Sequence, residues 1–523
     1  MDSQVIAADS RIVSSRKTQK PDVSSMVIGK DILELISGGM YVDPMSMVRE
    51  YIQNAVDAID EASRKGKYKA KNAQIRLTID RDNRSIVIRD NGIGIGAQKF
   101  ERAMVSVGAS QKVDTEARGF RGVGRFAGLS YCRELIFRTS CSAENTISEI
   151  KWDGVQFKKL VADRDYEGDL KSFLNEIAEV SFDEAALKTD HYFEVELRGV
   201  VRYKNDMLLN EEEVYDYLSQ HAPVPFDPGF KFGSEIEEFL KENNVYSAYE
   251  ICVENCGEER TVYRPYRDQF SLSDSVSDKF KRLELVEVEG MHGGVAAVGW
   301  ILHHSYLGVI PSSQLIRGLR VREGNIQIGQ SNLLTEAFPE PRFNSWSVGE
   351  LHIVNRQLVP TGRRDDFEVN ARYADFIGKI ATYGRNIARI CRQNSAVRNK
   401  IKEFELEEER VRVNLDVLKQ GAISKKYKDE LIKSNSVSMD KMSAVANSEN
   451  LNTKDQSKLL KKVDGISKIA NSGNTASETH DPLSSYSRQK RQIYQNVFDL
   501  ICECSANRVV ARRLIEQILV RLP

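Results

Sequence analysis

Residues 43–62 carry the phasing of a helix with two unlike faces, and roughly thirty residues later a strand-like run ends in Asp90-Asn91-Gly92-Ile93-Gly94. Asp43 followed by Pro44 is a start signal, a capping carboxylate ahead of a proline whose missing N–H costs nothing at a first helical position. At about 100° per residue, Glu50, Asn54 and Asp57 fall within an arc of roughly 60°. Val48, Ile52, Ala55, Ile59 and Ala62 gather on the opposite side. The apolar face therefore has a core to enter, and the polar stripe points elsewhere.

Ile75, Leu77 and Ile79 alternate, Arg81-Asp82-Asn83-Arg84 supplies a turn, and Ile86 and Ile88 alternate again, which predicts a hairpin. Its second strand runs into the Asp90 turn. An aspartate there can accept from an exocyclic amine, while Gly92 and Gly94 leave backbone bare enough for a flat ring to approach. A third element runs from Ser106-Val107-Gly108-Ala109-Ser110-Gln111-Lys112 to Gly119-Phe120-Arg121-Gly122-Val123-Gly124. Glycines at this density before the apolar run from Phe126 predict backbone amides at a helix start, suited to an anion. The spacing is not that of a Walker A loop.

The three motifs in this order resemble the GHKL superfamily of ATPases, which includes DNA gyrase B, the ninety-kilodalton heat-shock chaperone, sensor histidine kinases and MutL. The resemblance implies a Bergerat-type α/β sandwich that binds ATP and Mg2+. It makes Glu50 the catalytic base for water, Asn54 the magnesium ligand, and Asp57 a further nucleotide-site residue. Asp90, Gly92 and Gly94 would form the adenine turn. Ser110, Lys112, Gly119, Gly122, Val123 and Gly124 would belong to the lid over the phosphates. One departure concerns the Gly-Thr pair that in the family enters a late strand: here Tyr192 and Phe193 stand where it would sit, and Thr189 is out of register. No histidine precedes His191 to serve as a phospho-acceptor, no Asp-x-Asp module of the gyrase type follows the second domain and no MutL endonuclease tail is evident, so the expected branch is the hydrolysing, clamp-forming one.

The stretch 295–370 is similar to the middle domain of heat-shock-ninety-type chaperones. It holds a basic strand at Leu315–Arg322 and a segment Leu358-Val359-Pro360-Thr361-Gly362-Arg363-Arg364. The resemblance makes Arg364, with Arg363 as the neighbouring register, the arginine that reaches the γ-phosphate, a task suited to a planar, permanently charged fork. From Phe376 to Leu418 apolar residues step by four and three with Asn394 and Glu408 interposed, which predicts a coiled coil whose partner is either a second subunit or this chain folding back.

The expected class is α+β. A polar, disordered tail covers 1–25, the GHKL domain 26–200 and a transducer-like α/β middle domain 201–370. A coiled-coil helical region takes 371–470, a linker 471–484 and a C-terminal helical unit 485–523. At 523 residues and 41% hydrophobic content the chain can bury several cores. A net charge of −1 gives no global pull toward nucleic acid or membrane, and no 18-residue apolar run exists to span one. Seven scattered cysteines read as reduced thiols, so the expected location is cytoplasmic. The expected activity is slow ATP hydrolysis driving lid closure and domain movement in a homodimer, with a protein client. The alternatives are a DNA-engaging MutL- or MORC-type clamp, and a weakly hydrolysing scaffold.

Overall fold

The computed structural model describes residues 43–66, 73–107, 124–141, 144–184, 191–449, 451–476 and 481–522. The first element is helix α1, Met45–Arg64, whose opening Met45 N–H is accepted by the Asp43 carboxylate at 3.1 Å, as the start signal requires. Strands β1 (Gln74–Asp80) and β2 (Ser85–Asp90) form the expected hairpin, with Ile79 opposite Ile86 and Ile75 opposite Asp90. Helix α2 (Ala97–Val105) follows. After it come β3 (Glu134–Ser140), β4 (Thr146–Asp153), α3 (Gly154–Ala162), α4 (Leu170–Ile177), β5 (Ala178–Glu184) and β6 (Tyr192–Arg198).

Helices α5 (Glu211–His221) and α6 (Gly233–Glu242) lead to β7 (Glu250–Asn255) and β8 (Glu258–Thr261). One eight-stranded sheet runs in the order β5-β4-β3-β6-β2-β1-β7-β8. Strand β7 lies parallel to β1, with Gln74 opposite Glu250, so the N-terminal sheet is completed by residues well past the boundary expected at 200. The face packed on α1 is apolar: Val48, Ile52, Val56 and Ile59 bury against Ile75, Leu77, Ile86 and Ile88.

The remaining strands are β9 (Gln269–Ser273), β10 (Val276–Lys279), β11 (Arg282–Glu289), β12 (Val295–His303), β13 (Gly318–Glu323), β14 (Ile326–Ile328) and β15 (Val348–Ile353). The last five of these form a second sheet in the order β11-β12-β15-β13-β14. The basic strand is buried rather than a surface feature: Arg320 and Arg322 are at most 1% exposed. Arg322 Nε stands 2.8 Å from Glu350, and Arg264 pairs with the same carboxylate. The Tyr266 hydroxyl donates to Glu350 at 3.0 Å. Arg322 also donates to the carbonyls of Gln220 (2.6 Å) and Ala222 (3.3 Å), which satisfies the otherwise orphaned C-terminal end of α5. Burial alone would raise the Glu350 pKa; Arg264 and Arg322 instead hold it well below the usual carboxylate range.

Helix α7 (Ala371–Gln420) carries the four-three stripe. Its first half, through Phe376, Ile380, Ile387 and Cys391, packs on the second sheet's core. Asn394, one of the two polar intruders, donates to the Ser305 carbonyl at 3.1 Å. The second half packs against α8 (Lys425–Ala446), α9 (Thr453–Ala476), α10 (Arg488–Cys504) and α11 (Arg508–Arg521). Glu408, the other intruder, is held by Arg412 at 2.8 Å and Lys462 at 3.0 Å. Of the two partners open to the stripe, the structure supplies this chain itself. Gly421, in the left-handed region at φ 70°, makes the turn into α8. Helix α9 continues through Gly473 and Asn474, into the segment expected to be linker.

Candidate nucleotide site

The polar stripe of α1 and the Asp90 turn are neighbours. Ile93 N–H donates to the Ala58 carbonyl of α1 at 3.1 Å, tying the turn to the helix. Gly92 is required by this approach, since a Cβ there would lie 2.6 Å from the Ala58 methyl. Gly94 has φ 68° and its missing Cβ would strike the Ser140 carbonyl, so both glycines of the motif are fixed by geometry. Glu50 and Asn54 are half-buried and Asp57 is 4% exposed.

Asp90 is also 4% exposed, and its Oδ1 accepts the Gly92 N–H at 2.7 Å. Burial pushes its pKa up to about 8, against the opposing pull of that N–H and of Arg89. At neutral pH the side chain is therefore largely protonated until a donor arrives to favour the carboxylate. Ligand binding that brings an amine to Asp90 lowers this pKa, so affinity must rise with pH and level off above about 8. ATP titrations between pH 7 and 9 check this. A flat affinity from pH 7 to 8 would show that no amine meets the carboxylate.

Gly124 opens a short 3-10 turn, Gly124–Gly128, rather than an α-helix. Its backbone presses on α1: a Cβ at Gly124 would sit 2.7 Å from Glu50 Oε2. The Tyr51 hydroxyl accepts the Gly128 N–H at 2.9 Å and donates to the Arg125 carbonyl at 3.0 Å, pinning this turn to the helix that bears Glu50. Ser110, Lys112, Gly119, Gly122 and Val123 lie outside the described residues, as does Thr189.

One residue of this region escaped the sequence reading. His191 Nδ1 stands 2.6 Å from the Gly92 carbonyl, and the residue therefore braces the Asp90 turn from the start of β6. The signal for it was present, a lone polar ring just ahead of the strand that pairs with β2, but a single histidine has no spacing to mark it. Thr139 is a second such residue: fully buried, it accepts the Ile95 N–H (3.0 Å) and donates to the Tyr192 carbonyl (2.7 Å).

Arg364 is 6% exposed, sits at φ 54° and pairs with Glu323 at 3.3 Å, while its carbonyl accepts the Gly329 N–H at 2.8 Å. The side chain of Arg363 is exposed. Its carbonyl accepts from Arg49 Nη2 at 2.8 Å, and the same Nη2 lies 3.4 Å from Glu50 Oε1. The 361–366 turn thus touches helix α1 one residue from Glu50.

The site thus joins a buried carboxyl behind a glycine turn to a helix presenting a carboxylate and an amide. Residues 42–179 match the family described as histidine kinase-, DNA gyrase B-, and HSP90-like ATPase, and this segment is a domain of that family. The same region is similar to the chaperone protein HtpG of Klebsiella pneumoniae, 25% identical over 142 residues. HtpG of Acinetobacter baylyi is 30% identical over 116 residues, and that of Treponema pallidum 30% over 134. These matches span 24%, 19% and 22% of this chain, and 23%, 18% and 21% of the relatives, so the likeness stops at the N-terminal domain.

Proposed function

We propose that this protein is a slow Mg-ATP-hydrolysing conformational machine of the heat-shock-ninety type that acts on a protein client. The observation that carries the reading is the Arg49–Arg363 bond beside Glu50, which lets one helix report to the middle domain. The residues suit the group. Asn54 offers an amide oxygen of the hard type Mg2+ prefers, and Asp90 presents a buried carboxyl held by the Gly92 N–H of the same turn. Bound Mg-ATP supplies the phosphoanhydride to be cleaved. Asp90 accepts from the adenine amine, Asn54 holds the cation, and Glu50 orients a water and takes its proton.

Arg49 holds Glu50 in an ion pair while also gripping the 361–366 turn. In this proposal closure of the lid, residues 96–124, is coupled to a shift of that turn, and Arg364 exchanges Glu323 for the γ-phosphate. Such coupling works only through contacts that differ between the two arrangements, which an arginine with two alternative anions provides. Arg364→Ala is expected to keep ATP binding and to lower turnover by about tenfold or more. If Arg363→Ala loses turnover while Arg364→Ala retains it, the role moves by one residue.

The dimer we infer forms through the C-terminal helices. On α10, Ile493, Val497 and Leu500 recur at helical spacing and are 60%, 43% and 55% exposed, and Val510 and Leu514 are exposed on α11. An apolar stripe of this kind is what a second copy would cover. Mass measurement with and without a non-hydrolysable ATP analogue should find a dimer, and Leu500→Asp should convert it to monomer. A wild-type monomer under both conditions would sink the clamp. Among the described residues no helix is long and apolar enough to cross a membrane.

A further inference from the structure

A groove of about 670 Å3 runs along the middle domain between the 332–341 segment and the chain entering α7. Leu333, Phe338, Pro339, Pro341, Val369 and Tyr373 give it an apolar lining. Val369 is 92% exposed at its lip, and its N–H has no hydrogen-bond partner among the described residues. The walls are preformed. Asn344 Nδ2 donates to the Ser331 carbonyl (2.9 Å) and to Thr335 Oγ1 (3.2 Å), and Phe367 stacks on Tyr373 at 5.7 Å between ring centres. The Ala337 carbonyl rests on Gly384 of α7, where a Cβ would not fit.

The rim is acidic. Glu336 and Asp366 line it and are exposed, whereas the nearby cations Arg342 and Arg392 are both held by Glu340. A rigid apolar trough in the size range of binding sites, with a free backbone donor on one lip and carboxylates around it, fits one kind of occupant. We propose that this groove docks an extended polypeptide segment in which a bulky apolar residue is flanked by lysine or arginine. The apolar side chain fills the trough, the basic one meets Glu336 and Asp366, and the segment's backbone carbonyl takes the Val369 N–H. This wall continues into the 361–366 turn that Arg49 grips, so an occupant sits three residues from the contact with the nucleotide-site helix. The proposal rests on the reading of this chain as one that acts on a protein client.

The test uses the full-length protein without nucleotide and two fluorescein-labelled nonapeptides, one alternating leucine with lysine and one alternating leucine with glutamate, read by anisotropy. The lysine peptide is expected to bind and the glutamate peptide not. Glu336→Lys and Val369→Ser should each weaken the lysine peptide by about tenfold while leaving basal ATP turnover unchanged. Equal binding of both peptides, or unaltered binding in both variants, would overturn the proposal. So would a shift from dimer to monomer on either substitution, which would assign the groove to a second copy of this chain. Peptide binding in a protein that turns over no ATP would keep the groove and sink the proposed function. Turnover with no peptide bound would do the reverse.

Discussion

Glu50→Ala is expected to leave ATP binding intact and to cut turnover by about a hundredfold to ten-thousandfold, the range that a positioned general base supplies. The side chain is half-buried on the stripe, its Oε2 faces the Gly124 backbone, and Arg49 is its ionic neighbour at 3.4 Å. Removing it takes away the proton acceptor without touching Asp90 or the glycine turn, so binding and turnover should separate. Single-turnover hydrolysis beside equilibrium binding of a labelled nucleotide measures both. Unchanged turnover with binding retained would show that the base lies elsewhere. It would also favour the scaffold reading, in which nucleotide orders the chain and is scarcely consumed.

Glu350→Ala should produce the largest loss of stability, about 3–5 kcal/mol, because it leaves buried guanidinium groups without their carboxylate. Glu350, Arg264 and Arg322 are fully buried, and Arg320 lies beside them, with its Nη1 3.0 Å from Gln327. His352 offers no relief as an acceptor of charge. Burial first, opposed by Glu350 and aided by Arg264 and Arg322, pushes its pKa down to about 4. Glu289→Ala on the exposed end of β11 is the control and should stay within about 0.5 kcal/mol. The pH dependence has a definite sign. Glu350 is depressed in the folded state, so its contribution is complete above its unfolded pKa and is lost as pH falls through the folded value. Thermal melts of the wild type and the variant should therefore converge as the solution is made acid, and parallel melts down to strongly acid pH would refute the role.

What the sequence makes legible is local. The Asp43 cap, the two-faced α1, the Ile-alternating hairpin and the Asp90 turn each declare themselves through spacing within a dozen residues, and the structure places them together. Gly92 and Gly94 were readable as bare backbone, though not that Ala58 and Ser140 are what they approach. The four-three stripe of α7 was readable as a seam but not its partner, since periodicity records that a face is covered and never by what. Arg320 and Arg322 read as a basic strand because composition cannot report a carboxylate thirty residues away at position 350. His191 and β7 failed for the same reason: each acts across a gap of 99 residues or more in the chain.

The eight-stranded sheet has a mechanical consequence. Because β7 and β8 are stitched to β1, any swing of the second sheet against the first cannot turn about residue 200. The chain leaves the first body at 222–226, returns at 243–249 and leaves again at 262–266, and these passages are laced by Tyr249 N–H to the Pro223 carbonyl and Arg264 N–H to the Pro225 carbonyl, both 2.9 Å. Crossings laced side by side resist twist more than bending, so in the proposed domain movement they would act as a door hinge rather than a swivel. Arg264, rooted in Glu350, pins this crossing, and Arg49, which borders Ala222 and Pro223, holds the 361–366 turn close beside it.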